Sequence, residues 1–281
     1  MKVTFIDETL DELHKKARME EDVPQPSYPI DIGMNGIIKG TLLKFDFFDY
    51  LRRLYNRLGN QLYIIEGGCG VGNALVDLKR GVEVNLTSEE RTLLRQLYIS
   101  QEEISAHFMA AKAGKVYERP QSSVPAELLW HWKYVDGTHR KGLEDKLHTT
   151  GVTLTKRHAD TAFSVEERYR IDEMIVGPIE QHHFEREYDF VLDFKGAAFH
   201  FPRQVIPIYG QILKDFRLAF VRLHTGVQYT GEQLEVEDFR ELFYQSCFEI
   251  VNHTDPTLPI VDFLVESNKR IATRPSPTKT F

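Results

Sequence analysis

Hydrophobic residues along this chain recur with two periods, and the alternation of the two sets the expected elements. Leu62-Tyr-Ile-Ile65 is a short continuous apolar run, the pattern of a buried parallel strand. It ends at Glu66 and turns on glycines at 68, 70 and 72. It then enters a segment with apolar residues at 74, 75 and 78, which is helical spacing. Upstream, Leu42, Leu43, Phe45, Phe47, Phe48, Leu51, Leu54 and Leu58 repeat at helical period, and Gly59 is a stop signal. Downstream, a short helix to Arg80 precedes a second strand, Val82 to Leu86. Thr87-Ser88-Glu89-Glu90 then reads as a capping box opening a helix through Leu93, Leu94 and Leu97. Val152 and Leu154 alternate within residues 151–160, the expected third strand.

The C-terminal third is the most regular part. Tyr188–Asp193 reads as a fourth strand, Pro202–Lys214 as a helix and Leu218–His224 as a fifth strand. Phe239–Tyr244 is helical, and Phe248–Val251 and Ile260–Val265 are the last two strands. Only the turn from Asn252 to Pro259 joins those two, so they form an antiparallel pair, because a parallel pair needs a long crossover. The expected fold is therefore α/β: a mostly parallel seven-stranded sheet with helices on both faces and a C-terminal antiparallel hairpin. Residues 1–40, broken by Pro24, Pro26 and Pro29, read as an irregular or helical extension. Residues 41–270 form the main domain, with insertions at about 100–150 and 164–187, and residues 271–281 a flexible tail. The aromatic group Trp130, Trp132 and Tyr134 falls in the first insertion.

Composition narrows the function. The chain has 281 residues, 42% of them hydrophobic, enough for one large core. No apolar run approaches the roughly 18 residues of a membrane span, and the N-terminus lacks a basic-then-apolar leader. Two cysteines, Cys69 and Cys247, exclude a disulfide framework, so a soluble, cytoplasmic protein is expected. A formal net charge of −7 argues against broad phosphate neutralisation, hence against general nucleic-acid binding. His182-His183 lacks partner ligands, so no metal site is expected.

The glycine turn is the candidate for chemistry. Glycines after a strand let a ligand approach the backbone, with helix N–H groups close by. The dinucleotide fingerprint fails at Asn73, and the P-loop ending Gly-Lys-Ser/Thr is absent. What stands here is E-x-G-x-G-x-G, from Glu66 to Gly72. This resembles the first motif of the class I S-adenosylmethionine-dependent methyltransferases, whose Rossmann-like sheet also ends in an antiparallel hairpin. Three more segments resemble that family. They are Tyr188–Asp193, a fourth-strand phrase; Ile212-Leu213-Lys214-Asp215, like its "vLKpGG" phrase; and Ser246-Cys247-Phe248-Glu249, like its "aGFe" phrase. Asp215-Phe216-Arg217 stands where the family has proline and glycines.

The resemblance implies S-adenosylmethionine as cofactor and methyl transfer to an acceptor that the sequence does not identify. An inactive, cofactor-binding module is the alternative. It implies that Glu66, Gly67, Gly68, Cys69, Gly70 and Gly72 hold the methionine portion. Val82–Thr87 lacks an acid at its end, so Asn85 would take the place of the ribose acid if Thr87 is the cap, and Ser88 on a count from Gly81. Asp160, beside Thr161, would meet the adenine, and Asp193 would face the cofactor. His200, just past the fourth strand, is the candidate base, because histidine titrates near neutral pH. Oligomeric state is not legible.

Overall fold

In a computed structural model, the described residues are 1–6, 15, 43, 45, 47–70, 72–80, 82–83, 138–139, 143–162, 170–194, 196–228 and 230–271. Asn85, the Thr87 capping box, the Trp130 group, the proline-rich stretch near residues 24–29 and the tail lie outside them. The elements begin β1 (Lys2–Phe5), α1 (Phe47–Leu58), β2 (Leu62–Glu66), α2 (Asn73–Arg80), β3 (Val82–Glu83) and β4 (Thr138–His139). They continue β5 (Leu147–Thr153), α3 (Lys156–Ala162), β6 (Glu173–Val176), β7 (Tyr188–Asp193), α4 (Ala197–His200), α5 (Pro202–Ile212) and β8 (Leu213–His224). Last come β9 (Gly226–Val227), β10 (Gln233–Leu234), α6 (Val236–Gln245), β11 (Phe248–His253) and β12 (Ile260–Ser267).

The chain divides into two units. The smaller comprises residues 26–35 and 82–140, and its described part is the two-stranded antiparallel ribbon of β3 and β4. The larger holds an eight-stranded sheet in the order β1-β6-β5-β2-β7-β8-β12-β11. Every neighbour from β1 to β8 is parallel. The pairs β8–β12 and β12–β11 are antiparallel, so the expected C-terminal hairpin is present.

Two expected strands change place. Val82–Glu83 pairs with Thr138–His139 and is not in the large sheet. The strand beside β2 is β5, which starts at Leu147 and was expected as the third strand from Gly151. The next position belongs to β6, Glu173–Val176, inside the stretch expected to be a polar insertion. Four residues are too few to show a period, but Met174-Ile175-Val176 ending at Gly177 is an apolar run of the kind that marks β2. β1 adds an eighth strand at the edge, where an irregular extension was expected.

Alternation along the central strands divides the core. Phe190 and Phe220 meet Phe47 of α1, with ring centroids 5.6 and 5.4 Å away. Val191, Val221 and Phe263 belong instead to the cluster built with Val205, Ile206 and Tyr209 of α5 and Phe239 and Phe243 of α6. Strands buried on both faces read as continuous apolar runs, which is why β2, β7 and β8 were legible. On α2, the buried Lys79 reaches Asp172 at 2.7 Å, and Asp172 in turn accepts from the Thr149 amide at 2.7 Å.

Two residues other than glycine among those described have a left-handed backbone. Phe216 has φ 56° and Cys247 φ 63°. Cys247 follows Ser246, the C-cap of α6, the position where a left-handed residue closes a helix. Backbone bonds hold it there: its amide donates to the Tyr244 carbonyl at 3.1 Å, and its carbonyl accepts from the Asn268 amide at 2.7 Å. Left-handed geometry costs a side-chain-bearing residue about 1–2 kcal/mol, part of which glycine gives back in unfolded-state entropy. Cys247→Gly is therefore expected to raise the urea midpoint, by roughly 0.5–1 kcal/mol of stability. A midpoint equal to or below the wild type would contradict that strain.

Candidate functional site

The turn after β2 is tied to the strand on each side of it. The Gly67 amide donates to the Leu192 carbonyl of β7 at 3.0 Å, and the Cys69 amide to the Val152 carbonyl of β5 at 2.7 Å. Gly72 donates back to Cys69 at 2.8 Å and accepts from Val76 at 3.1 Å, launching α2. The Cys69 thiol is buried against the Met174 sulfur of β6 at 3.7 Å, a packing role.

The glycines of the turn divide by what surrounds them. A Cβ at Gly67 would overlap the Tyr209 hydroxyl, one at Gly68 the Gly196 backbone, and one at Gly72 the Ile171 side chain. These three are required by the protein itself. Gly70, with φ +55°, differs: a Cβ there would meet no atom of the described residues within 4 Å. The open face of the turn is at Gly70, at the carboxyl end of β2, where open α/β sheets bind ligands. Glu66, buried at 4% exposure, ends the strand beneath it.

Asp193 does not offer its carboxylate to that opening. It is fully buried, with one oxygen accepting from the Gly196 amide at 2.8 Å. The other accepts from the Ala198 amide at 2.8 Å and the Tyr209 hydroxyl at 2.5 Å. Burial pushes its pKa up to about 7 against the opposing pull of Tyr209 and the two amides. Burial also raises Tyr209 well above the ordinary tyrosine value, with Asp193 adding to it, so the phenol keeps its proton and donates. The sequence nominated Asp193 but gave no sign of Tyr209, whose helical position reads as ordinary core.

The remaining nominations scatter. Asp160 and Thr161 lie within α3, where Asp160 is exposed, rather than at a strand end. α3 follows β5, the strand expected as the third, which lies directly beside β2. At and just past the end of β5 stand the buried Thr153 and Thr155. The Thr155 hydroxyl caps α3 by accepting from the His158 amide at 3.1 Å, and the Thr153 hydroxyl lies 3.2 Å from His158 Nδ1. His200 is half-buried on α4, its ring 5.4 Å from Phe199, which also approaches His224 at the end of β8, at 5.9 Å. His224 escaped notice because it belongs to this group only through the pairing of β7 with β8. His182 and His183 line a separate cavity of about 350 Å³ with Phe184, Arg186 and Ile208, beside the start of β7. Among the described residues, no group of three or more His, Cys, Asp or Glu side chains could hold a metal ion.

No protein-family model matches the chain, and no curated protein does. Solved structures with a similar fold include an S-adenosylmethionine-dependent methyltransferase from Clostridium acetobutylicum. It is 8% identical, with 84% of this chain and 99% of that chain covered and a TM-score of 0.45. The magnesium protoporphyrin IX methyltransferase from Synechocystis is 9% identical, covering 90% of this chain and 94% of that one, with a TM-score of 0.45. A cyclopropane synthase from Mycobacterium tuberculosis is 9% identical over 78% of this chain and 83% of its own, with a TM-score of 0.39. Strand order and direction describe the fold here: a Rossmann-like, mostly parallel sheet closed by an antiparallel hairpin.

The elevated Asp193 pKa has a measurable sign. The folded chain holds a proton that the unfolded chain, with the ordinary value of 3.8, releases. The contribution is full below about pH 4 and is lost as pH rises towards 7, beyond which it is level. Unfolding free energies of wild type and Asp193→Asn, measured from pH 4 to 8, are expected to show the wild type losing ground to the variant between pH 4 and 7. Parallel profiles would mean that Asp193 is ionised throughout.

Proposed function

We propose that the chain binds S-adenosylmethionine at the carboxyl ends of β2, β5 and β7 and transfers its methyl group to an acceptor. The observation that carries this reading is the glycine turn, closed by the protein at Gly67, Gly68 and Gly72 and open at Gly70, above the buried carboxylate of Glu66. A turn left open at one glycine is shaped for a ligand lying on the backbone. A buried carboxylate beside it suits a cationic one. Glu66 would face the charged methionine portion, with Gly70 in contact along the backbone. The ribose would lie past the end of β5, at Thr153 to Thr155. The adenine would lie past the end of β6, beyond Val176.

The cofactor supplies an electrophilic methyl group, so the protein's task is to hold the acceptor in line with it and, where the acceptor carries a proton, to remove that proton. His200 is the candidate base, with Phe199 beside it on α4 and His224, at the end of β8, in contact with Phe199. One observation favours a second reading, a cofactor-binding module without turnover. The end of β5 carries threonine hydroxyls engaged with α3 where the family has a carboxylate for the ribose.

Calorimetric titration with S-adenosylmethionine and S-adenosylhomocysteine tests the cofactor. Wild type is expected to bind at micromolar Kd, on the order of −8 kcal/mol. Gly70→Arg, which fills the open face, is expected to abolish binding while circular dichroism shows a folded chain. The left-handed φ costs that arginine only about 1–2 kcal/mol. Folded wild-type protein that binds neither compound would overturn the reading.

A further inference from the structure

Asp193 and Tyr209 are buried polar groups in the middle of an apolar cluster, and the chemistry proposed above uses neither. Burying the Asp193 carboxylate completely is costly unless its bonds are met, and here they are met by two backbone amides and a phenol. The placement of those donors is informative. The amides of Gly196 and Ala198 belong to the turn that follows β7, while the phenol comes from α5. The Tyr209 hydroxyl also occupies the space that a side chain on Gly67 would need. A Cβ on Gly196 would overlap the Gly67 carbonyl, which instead accepts from the Ala197 amide at 3.3 Å. The turns after β2 and after β7 are thus joined directly by the Ala197–Gly67 bond, and the carboxylate ties the segment after β7 to the Tyr209 hydroxyl that packs against Gly67.

We infer that the Asp193–Tyr209 pair positions the cofactor crevice, fixing the glycine turn against the turn after β7 before any ligand arrives. The pair touches no ligand. It acts through the backbone of Gly67, Gly196 and Ala198. A crevice held in its binding shape spares the ligand the entropic cost of ordering two loops, which is how preorganisation raises affinity. A leucine and a phenylalanine would fill the same space but would leave the Gly196 and Ala198 amides unbonded. The polar pair therefore adds loop geometry to what packing alone supplies. This inference rests on the proposed function for the identity of the ligand, but not for the latch itself.

Tyr209→Phe keeps the ring and removes only the hydroxyl. Hydrogen exchange read residue by residue, without ligand, is compared with Phe239→Leu, a core change on α6 that serves as a stability control. In Tyr209→Phe, the Gly67, Cys69 and Gly72 amides are expected to exchange about tenfold faster, beyond any change in the rest of the sheet. In Phe239→Leu, any loss of protection is expected to be spread evenly. Titration with S-adenosylhomocysteine is expected to show roughly tenfold weaker binding by Tyr209→Phe and near-wild-type binding by Phe239→Leu. Unchanged exchange over residues 66–72, or loss no greater than in the control, would overturn the latch. Equal affinity in wild type and Tyr209→Phe would overturn its role in the crevice. Faster local exchange in a protein whose wild type binds neither compound would support the latch and overturn the proposed function alone.

Discussion

The backbones that follow β2 and β7 touch, and the contact leaves no room for a side chain at Gly67 or Gly196. Much of the site follows from this one constraint. Because the two turns lie against each other, Asp193 at the end of β7 is enclosed and must find its partners within the protein. Because Gly67 lacks a side chain, the Tyr209 hydroxyl can reach that carboxylate. With Gly67, Gly68 and Gly72 filled by the protein, the turn is left open on the Gly70 side, above Glu66. The glycines therefore serve two ends: most allow the protein to close on itself, and one leaves space for something else.

What the sequence revealed and what it concealed divide along the range of the interactions. β2, β7, β8 and the final hairpin were legible because strands buried on both faces are continuous apolar runs, and a run is a local property. The position of a strand in the sheet is not local. Val82–Glu83 alternates like a strand and is one, yet it pairs with Thr138–His139 in a separate ribbon. β6, with four residues in a polar context, carries too little periodicity to stand out. Asp160 was assigned by counting strands whose order in the large sheet differs from the expected one. The glycine turn needed no such count, and its geometry matches its sequence. Asp193 shows the limit from the other side. The sequence located it correctly at the end of a strand, but only a contact with a residue on a later helix reveals that it faces inward.

The departures from glycine at Phe216 and Cys247 carry a related lesson. Both have a left-handed backbone, and at Cys247 two backbone hydrogen bonds hold the path that strains the residue. A sequence motif that looks degraded can still specify the same turn. The converse caution applies to function. A shared sheet fixes where ligands bind, at the carboxyl ends of the strands, and not what is done to them.

The central claim is spatial: a cofactor lies over Gly70 with its ribose beside the end of β5. A crystal structure of the protein with S-adenosylhomocysteine tests it most directly. The methionine portion is expected along Gly70 next to Glu66, and the ribose hydroxyls near Thr153 to Thr155. Asp193 is expected to stay bonded to Tyr209 and out of contact with the ligand. Density for the ligand elsewhere, such as in the cavity lined by His182 and His183, or a ligand bonded directly to Asp193, would contradict the claim.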